Sequence, residues 1–183
     1  VLERMMLGKL LILFVSVVIH EYAHGLVAFQ CGDDTAKQAG RLKLNPIRHV
    51  DPLGSIILPL MLVMSGSPFL FGWAKPVPVN IHRMRAPIND MVRVAIAGPL
   101  SNVSLAILCS ILVQLVTALG LVSMDQKWVV DLLVYGVVIN IVLAVFNMIP
   151  IPPMDGARVL YRFVTNAGRR FLDSIEAYGM LII

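Results

Sequence analysis

The sequence predicts a mainly α, polytopic membrane protein. It would have a core of three transmembrane helices, a re-entrant or shallow hydrophobic segment, short β-strands and the start of a further helix. Two observations carry that fold class. Hydrophobic residues make up 58% of 183 positions and charged residues only 14%, with a mean hydropathy of +0.83. Globular domains carry about a quarter charged residues, and a soluble core of this length could not bury so much apolar surface. The basic residues behind the net charge of +4 also cluster between oily runs. Membrane flanks show that pattern, so the expected partner is a lipid bilayer and not nucleic acid.

The first helix is expected from about Met5 to Phe29. Leu10 to Phe29 alone is long enough for about 30 Å of helix, the thickness of a bilayer core. Its length and its polar triad do not fit a cleavable signal peptide. A polar stretch follows, in which "GRLKLN" alternates leucines with polar residues and reads as a short strand. "LGSIILPLMLVMSGSPFLFG" is apolar but interrupted by Pro59, Gly66 and Pro68. "WAKPVPVN" reads as a second strand, restricted to an edge by Pro76 and Pro78. Val94 to Val122 contains no Asp, Glu, Lys, Arg or His and is a transmembrane span. Another span runs from about Trp128 to Ile149, ended by the prolines of "PIPPMDG". "ARVLYRFVTNAGRR" reads as an amphipathic surface segment, and "AYGMLII" would begin a final span. The chain is taken as one domain, 1–183. It opens on Val1 and stops inside a hydrophobic run, so pieces are expected to be missing at both ends. Cys31 and Cys109 form no CxxC pair and give no disulfide framework.

The first helix carries "VVIHEYAHGLVAF", three ionisable groups in an oily run. Such groups are costly inside a membrane and point to function. His20 and His24 stand at i and i+4, on one helix face, so two imidazoles can reach one metal ion. Glu21 lies about 100° round from His20 and about 60° from His24. It is placed to act beside a metal without ligating it. A catalytic zinc takes three protein ligands. His49 and His82 sit in charged loops, which leaves Asp155, at the broken end of a transmembrane helix, as the better third candidate. Asp155 also suits the N-cap of a helix starting near Ala157, and both roles stay open at this point.

Topology gives an independent check. If Asp155 meets the histidines, the span ending at Ile149 and the first helix end on the same side. The chain between Cys31 and Arg93 must then leave and return on that side, so the Pro59 to Pro68 run cannot cross. That side collects Lys37, Arg41, Lys43, Arg48, Lys75, Arg83, Arg85, Arg93, Arg158, Arg162, Arg169 and Arg170, against Arg4, Lys9 and Lys127 opposite. By the positive-inside rule it is cytoplasmic. The expected location is therefore the cell membrane, multi-pass, with the site toward the cytoplasm.

His20-Glu21-x-x-His24, "AGPLSN" (Ala97 to Asn102) and "NMIPIPPMDG" (Asn147 to Gly156) together resemble the site-2 protease family of intramembrane zinc metalloproteases. "GRLKLNPIRHVDPLGS" and "GWAKPVPVN" look like its compact prokaryotic members, and no PDZ-like or CBS-like segment lies within these residues. The resemblance covers about Leu10 to Ile183, with three separated motifs in the expected order. It implies that His20, His24 and Asp155 bind one zinc ion per chain and that Glu21 is the catalytic base. It implies a three-helix catalytic core acting on transmembrane protein or peptide substrates, cut within or near their membrane segments. Asn147 is the candidate side-chain donor to the oxyanion. Asn102 and Asn140 are read as helix–helix contacts, and Ala97, Gly98 and Ser101 as residues allowing close helix approach. Substrate must arrive extended, and either predicted edge strand is a candidate to pair with it. Two rival functions are a membrane metal transporter or metal-delivery protein, and an inactive relative that binds transmembrane segments without cutting them.

Overall fold

A computed structural model describes residues 2–45, 49–67, 72–123 and 126–176. In chain order the helices are α1 (Leu2–Gln30), α2 (Thr35–Gln38), a π-helical turn (Pro52–Ile57) running into α3 (Leu58–Met64), a 3₁₀ turn (Ile81–Arg83), α4 (Pro87–Ala118), α5 (Lys127–Asn147), α6 (Asp155–Leu160) and α7 (Asn166–Glu176). Helices α1, α4 and α5 are long and apolar enough to cross a membrane.

Side-chain partners give the directions of these three helices. Leu132 of α5 lies over Gly8 of α1, Gly136 faces Ile12, and Asn140 bonds Ser16. Both numbers rise together, so α1 and α5 run parallel. Between α4 and α1, Val94 pairs with His24 and Asn102 with His20. Between α4 and α5, Asn102 pairs with Asn140 and Cys109 with Gly136. These numbers run in opposite senses, so α4 is antiparallel to both. The ends of α1 and α5 therefore share a side, as a meeting of Asp155 with the histidines requires.

Four-residue steps place the contact faces, because residues i and i+4 stack on one side of a helix. Gly98 and Ala106 of α4, and Gly136 and Ala144 of α5, are small and buried at the seam, where they let backbones approach. Leu7, Leu11 and Val15 of α1, Ile107 and Ile111 of α4, and Val134, Val138, Ile141 and Val145 of α5 face outward. The polar residues Ser16, His20, His24, Asn102 and Asn140 are buried inside. An aliphatic exterior around a polar seam suits a hydrocarbon surround.

Helix α4 begins seven residues before the predicted Val94. Pro87 takes the first turn, where a missing N–H costs nothing. The Asp90 carboxylate accepts the Ala86 N–H at 2.8 Å and pairs with Arg93 at 3.1 Å, so the charged turn is satisfied. The Pro52–Met64 helix is about 20 Å long at 1.5 Å per residue. That is short of a bilayer core, which fits a segment that does not cross. The predicted final span falls on residues 177–183, outside the described residues.

The predicted β-strands are corrected: among the described residues there is no strand. "GRLKLN" forms a turn and irregular chain, and "WAKPVPVN" is extended but has no partner strand. Its N–H groups go elsewhere: Trp73 donates to the Gly54 carbonyl (3.1 Å), Lys75 to the His49 carbonyl (2.9 Å), Val77 to the Glu21 carboxylate (2.8 Å) and Asn80 to the Asp33 carboxylate (2.6 Å). A strand needs a ladder of backbone partners on a neighbour; here loop carbonyls and carboxylates replace that neighbour.

Candidate metal centre

His20 and His24 project from α1 toward α4, where Val94, Gly98 and Asn102 form one face at four-residue steps. His24 Nδ1 bonds the Val94 carbonyl at 2.7 Å, and His20 Nδ1 bonds Asn102 Oδ1 at 2.5 Å. Asp155, the first residue of α6, follows the proline-rich turn after α5. Its Oδ2 lies 3.2 Å from His20 Nε2 and 3.1 Å from His24 Nε2, and the two Nε2 atoms are 3.0 Å apart. All three side chains are buried.

Hydrogen-bond logic fixes the tautomers. The Val94 carbonyl can only accept, so His24 carries its proton on Nδ1. The Gly136 carbonyl can only accept, so Asn140 Nδ2 donates to it at 2.8 Å, and also to Ser16 Oγ at 3.0 Å. Asn140 then presents Oδ1 to Asn102 Nδ2 at 2.8 Å. Asn102 in turn presents Oδ1 to His20, which must donate from Nδ1. Each ring therefore turns its Nε2 inward, toward a buried Asp155 Oδ2 that has no hydrogen-bond partner; as neutral imidazoles, the form that binds a metal, the two offer bare lone pairs there. Three acceptors pressed together repel one another unless a cation lies among them. The spacing of 3.0–3.2 Å is close to the roughly 3.3–3.4 Å that separates ligands of a tetrahedral zinc at about 2.0–2.1 Å. The donor set and its geometry fit zinc, and the His–Asn–Asn chain is the outer support that metal-bound histidines use.

Gly98 explains how α4 comes so near. A Cβ there would stand 2.6 Å from His20 Nε2 and nearer still to His24 Nε2. Glu21 lies on the neighbouring face of α1, half-buried, with its Oε2 on the Val77 N–H.

Of the residues marked in the sequence, His20, His24 and Asp155 come together as a group able to hold a metal ion. His82 lies exposed in the 3₁₀ turn, and His49 is wholly buried elsewhere, its Nε2 donating to the Lys43 carbonyl at 3.0 Å. Asn147 donates to the Leu143 carbonyl one turn back in its own helix, at 2.8 Å. The support given by Asn102 and Asn140 was missed as a site feature. Its signal was there: two asparagines inside oily helices need partners. Asn102→Ala is expected to lower zinc affinity by about ten- to a hundredfold, since the His20 tautomer loses its anchor. A competition titration with a chelator of known affinity measures it, and unchanged affinity would remove Asn102 from the site.

Two buried imidazoles and a carboxylate thus stand together, with a glutamate beside them, in a bundle of helices long and apolar enough to cross a membrane. Residues 116–182 match peptidase family M50. "Putative zinc metalloprotease YwhC" of Bacillus subtilis is 39% identical over 177 residues, 93% of this chain and 75% of that protein. "Putative zinc metalloprotease Rip2" of Mycolicibacterium smegmatis is 29% identical over 92% of this chain and 61% of that protein. The Rip2 of Mycobacterium tuberculosis (strain H37Rv) is 26% identical over 92% of this chain and 62% of its own length. No solved structure matches. The chain belongs to peptidase family M50, the site-2 protease family.

Proposed function

We propose that this chain is an intramembrane zinc metalloprotease that hydrolyses peptide bonds within or near transmembrane segments, using one zinc ion held by His20, His24 and Asp155. The observation that carries the proposal is the trio of bare donor atoms buried in the seam of three membrane-length helices, beside Glu21. A zinc ion held by these residues would supply a Lewis acid, able to lower the pKa of a water to near neutrality and to polarise a peptide carbonyl. The chain's own groups do the rest. Asn102 and the Val94 carbonyl keep the two imidazoles turned inward. Glu21 accepts the proton of the attacking water and returns it to the leaving amine. Asn147, whose amide donates one N–H to the Leu143 carbonyl, has a second N–H and is the proposed side-chain donor to the oxyanion.

Access from the lipid side is supported by an apolar cavity of about 390 Å³ between α1 and the Pro52–Met64 helix. Leu10, Phe14, Pro59 and Trp73 line it, and it reaches Val17, one turn before Glu21, and Ala74, three residues before Val77. An apolar substrate segment entering there approaches the base without crossing a charged surface. The excess of Lys and Arg on the side where α1 and α5 end supports a site toward the cytoplasm of the cell membrane.

The test is zinc content together with cleavage of a transmembrane test substrate. Glu21→Gln should keep zinc and lose about a hundredfold or more of the cleavage rate, the share of a general base. Equal cleavage by the variant would refute the assignment. Zinc transport into vesicles that survives the substitution would favour a transporter.

A further inference from the structure

We infer that the main-chain N–H of Val77 is the positioning group for Glu21. The extended segment 73–80 acts as a strap that holds the base in place. The inference rests on Glu21 as the base, as proposed above.

Along an extended chain, N–H groups of alternate residues point to the same edge. On this strap the N–H groups of Trp73, Lys75 and Val77 occur at that spacing. The first two donate to backbone carbonyls, of Gly54 at 3.1 Å and His49 at 2.9 Å. The third donates at 2.8 Å to Glu21 Oε2. A carboxylate oxygen thus takes the place where the next backbone acceptor would be. Lys75 and Val77 each precede a proline, which disfavours helical backbone at both and holds them extended. The amide is therefore presented in a fixed direction.

The strap is fastened on both sides of Val77. His49 is wholly buried, bonded through its ring to the Lys43 carbonyl and through its own carbonyl to Lys75. Asp33, also wholly buried, takes the Asn80 N–H on one oxygen and the Thr35 N–H on the other. Val77 itself is buried against Gly25, one turn beyond Glu21 on the same face of α1. A Cβ at Gly25 would stand 3.0 Å from Val77 Cγ1. The bare turn at Gly25 thus sets how near the strap, and with it the amide, can come to Glu21. A glutamate free to rotate must be ordered again in every turnover; one with an oxygen already held keeps its reacting geometry.

The test uses the zinc-loaded full chain and a transmembrane test substrate. Val77→Pro deletes the N–H and keeps an extended backbone, while Val77→Ala keeps the N–H and loses the packing. Val77→Pro should show a kcat about ten- to a hundredfold below that of Val77→Ala, with KM and zinc content unchanged. Gly25→Ala leaves every N–H in place but pushes the strap outward, and should lower kcat. Adding Val77→Ala to Gly25→Ala removes the clashing methyl and should restore kcat to the Val77→Ala value. The double variant reports on the strap even where Val77→Pro does not fold. Wild-type cleavage that Glu21→Gln abolishes secures the base assignment. Equal kcat for Val77→Pro and Val77→Ala, or no recovery in the double variant, then overturns the positioning role alone.

Discussion

Gly98→Ala is expected to abolish zinc binding and cleavage together, a larger loss than removing Glu21 alone. One methyl group suffices because of where it goes. The new Cβ would stand 2.6 Å from both Cε1 and Nε2 of His20 and closer to His24 Nε2, on the side of the rings that carries the lone pairs. The rings cannot simply swing away, because each Nδ1 is anchored, one on Asn102 and one on the Val94 carbonyl. Asn102 and Val94 stand one turn after and one turn before Gly98 on α4. Relief must come from moving α4 off α1, which breaks those anchors, or from turning the imidazoles, which removes the ligands. The fold itself should survive, since alanine favours a helix interior over glycine by about 1 kcal/mol. Elemental analysis of purified protein, beside helix content by circular dichroism, separates the two outcomes. Full helicity with less than about a tenth of the zinc is the expected result. Full zinc occupancy would mean that α4 does not approach the histidines this closely.

The difference between what was legible and what was not follows from the range of the interactions. The membrane helices were legible because solvation by lipid acts on every residue of a span, and Leu10 to Phe29 or Val94 to Val122 shows it without reference to any other segment. His20 and His24 were legible because both lie on one helix. Asp155 was legible only in part: its place after a proline break suggested depth, and a topology that assumed its meeting with the histidines gathered most of the Lys and Arg on one side. The strands failed because alternation in "GRLKLN" and "WAKPVPVN" reports local shape and says nothing of a partner. "WAKPVPVN" is extended as read, but it lies along α1 and a loop, and its amides answer to Glu21, Asp33 and carbonyls. The support of His20 was hidden for a related reason. Which asparagine faces which histidine depends on the rotation of α4 and α5 about their axes. That rotation is set by Gly98 and Gly136 admitting a neighbour, a property of the packed bundle and not of either helix alone. Asn147 was selected by its nearness to the break; in the bundle it donates to the Leu143 carbonyl of its own helix, a bond that local sequence does not announce.

Gly156→Ala should remove the third ligand without touching the first two. Gly156 follows Asp155 at the start of α6, and a Cβ there would lie 2.5 Å from the Met148 carbonyl carbon and 2.6 Å from the Ile149 carbonyl oxygen, with the Met148 oxygen nearer still. These are backbone atoms of the two residues that follow α5, so no rotamer change makes room. The turn between cannot absorb the shift cheaply: Ile151 bonds back to Ile149 at 2.9 Å, Met154 to Ile151 at 3.0 Å and Ala157 to Met154 at 3.1 Å, and Pro150, Pro152 and Pro153 restrict its backbone. Helix α6 must therefore move away from α5, and Asp155 moves with it, while His20 and His24 keep their anchors on α4. The expected result is a site with two ligands, with zinc affinity lowered by more than about a hundredfold, beyond the loss of an outer partner. A double-mutant cycle shows whether the effect passes through Asp155. If it does, Gly156→Ala combined with Asp155→Ala binds zinc as weakly as Asp155→Ala alone, because a displaced carboxylate and an absent one are equivalent to the metal. Additive losses would instead mean that Gly156 acts on the histidines or on the stability of the bundle, and that α6 does not carry the ligand in the way its contacts with Met148 and Ile149 indicate.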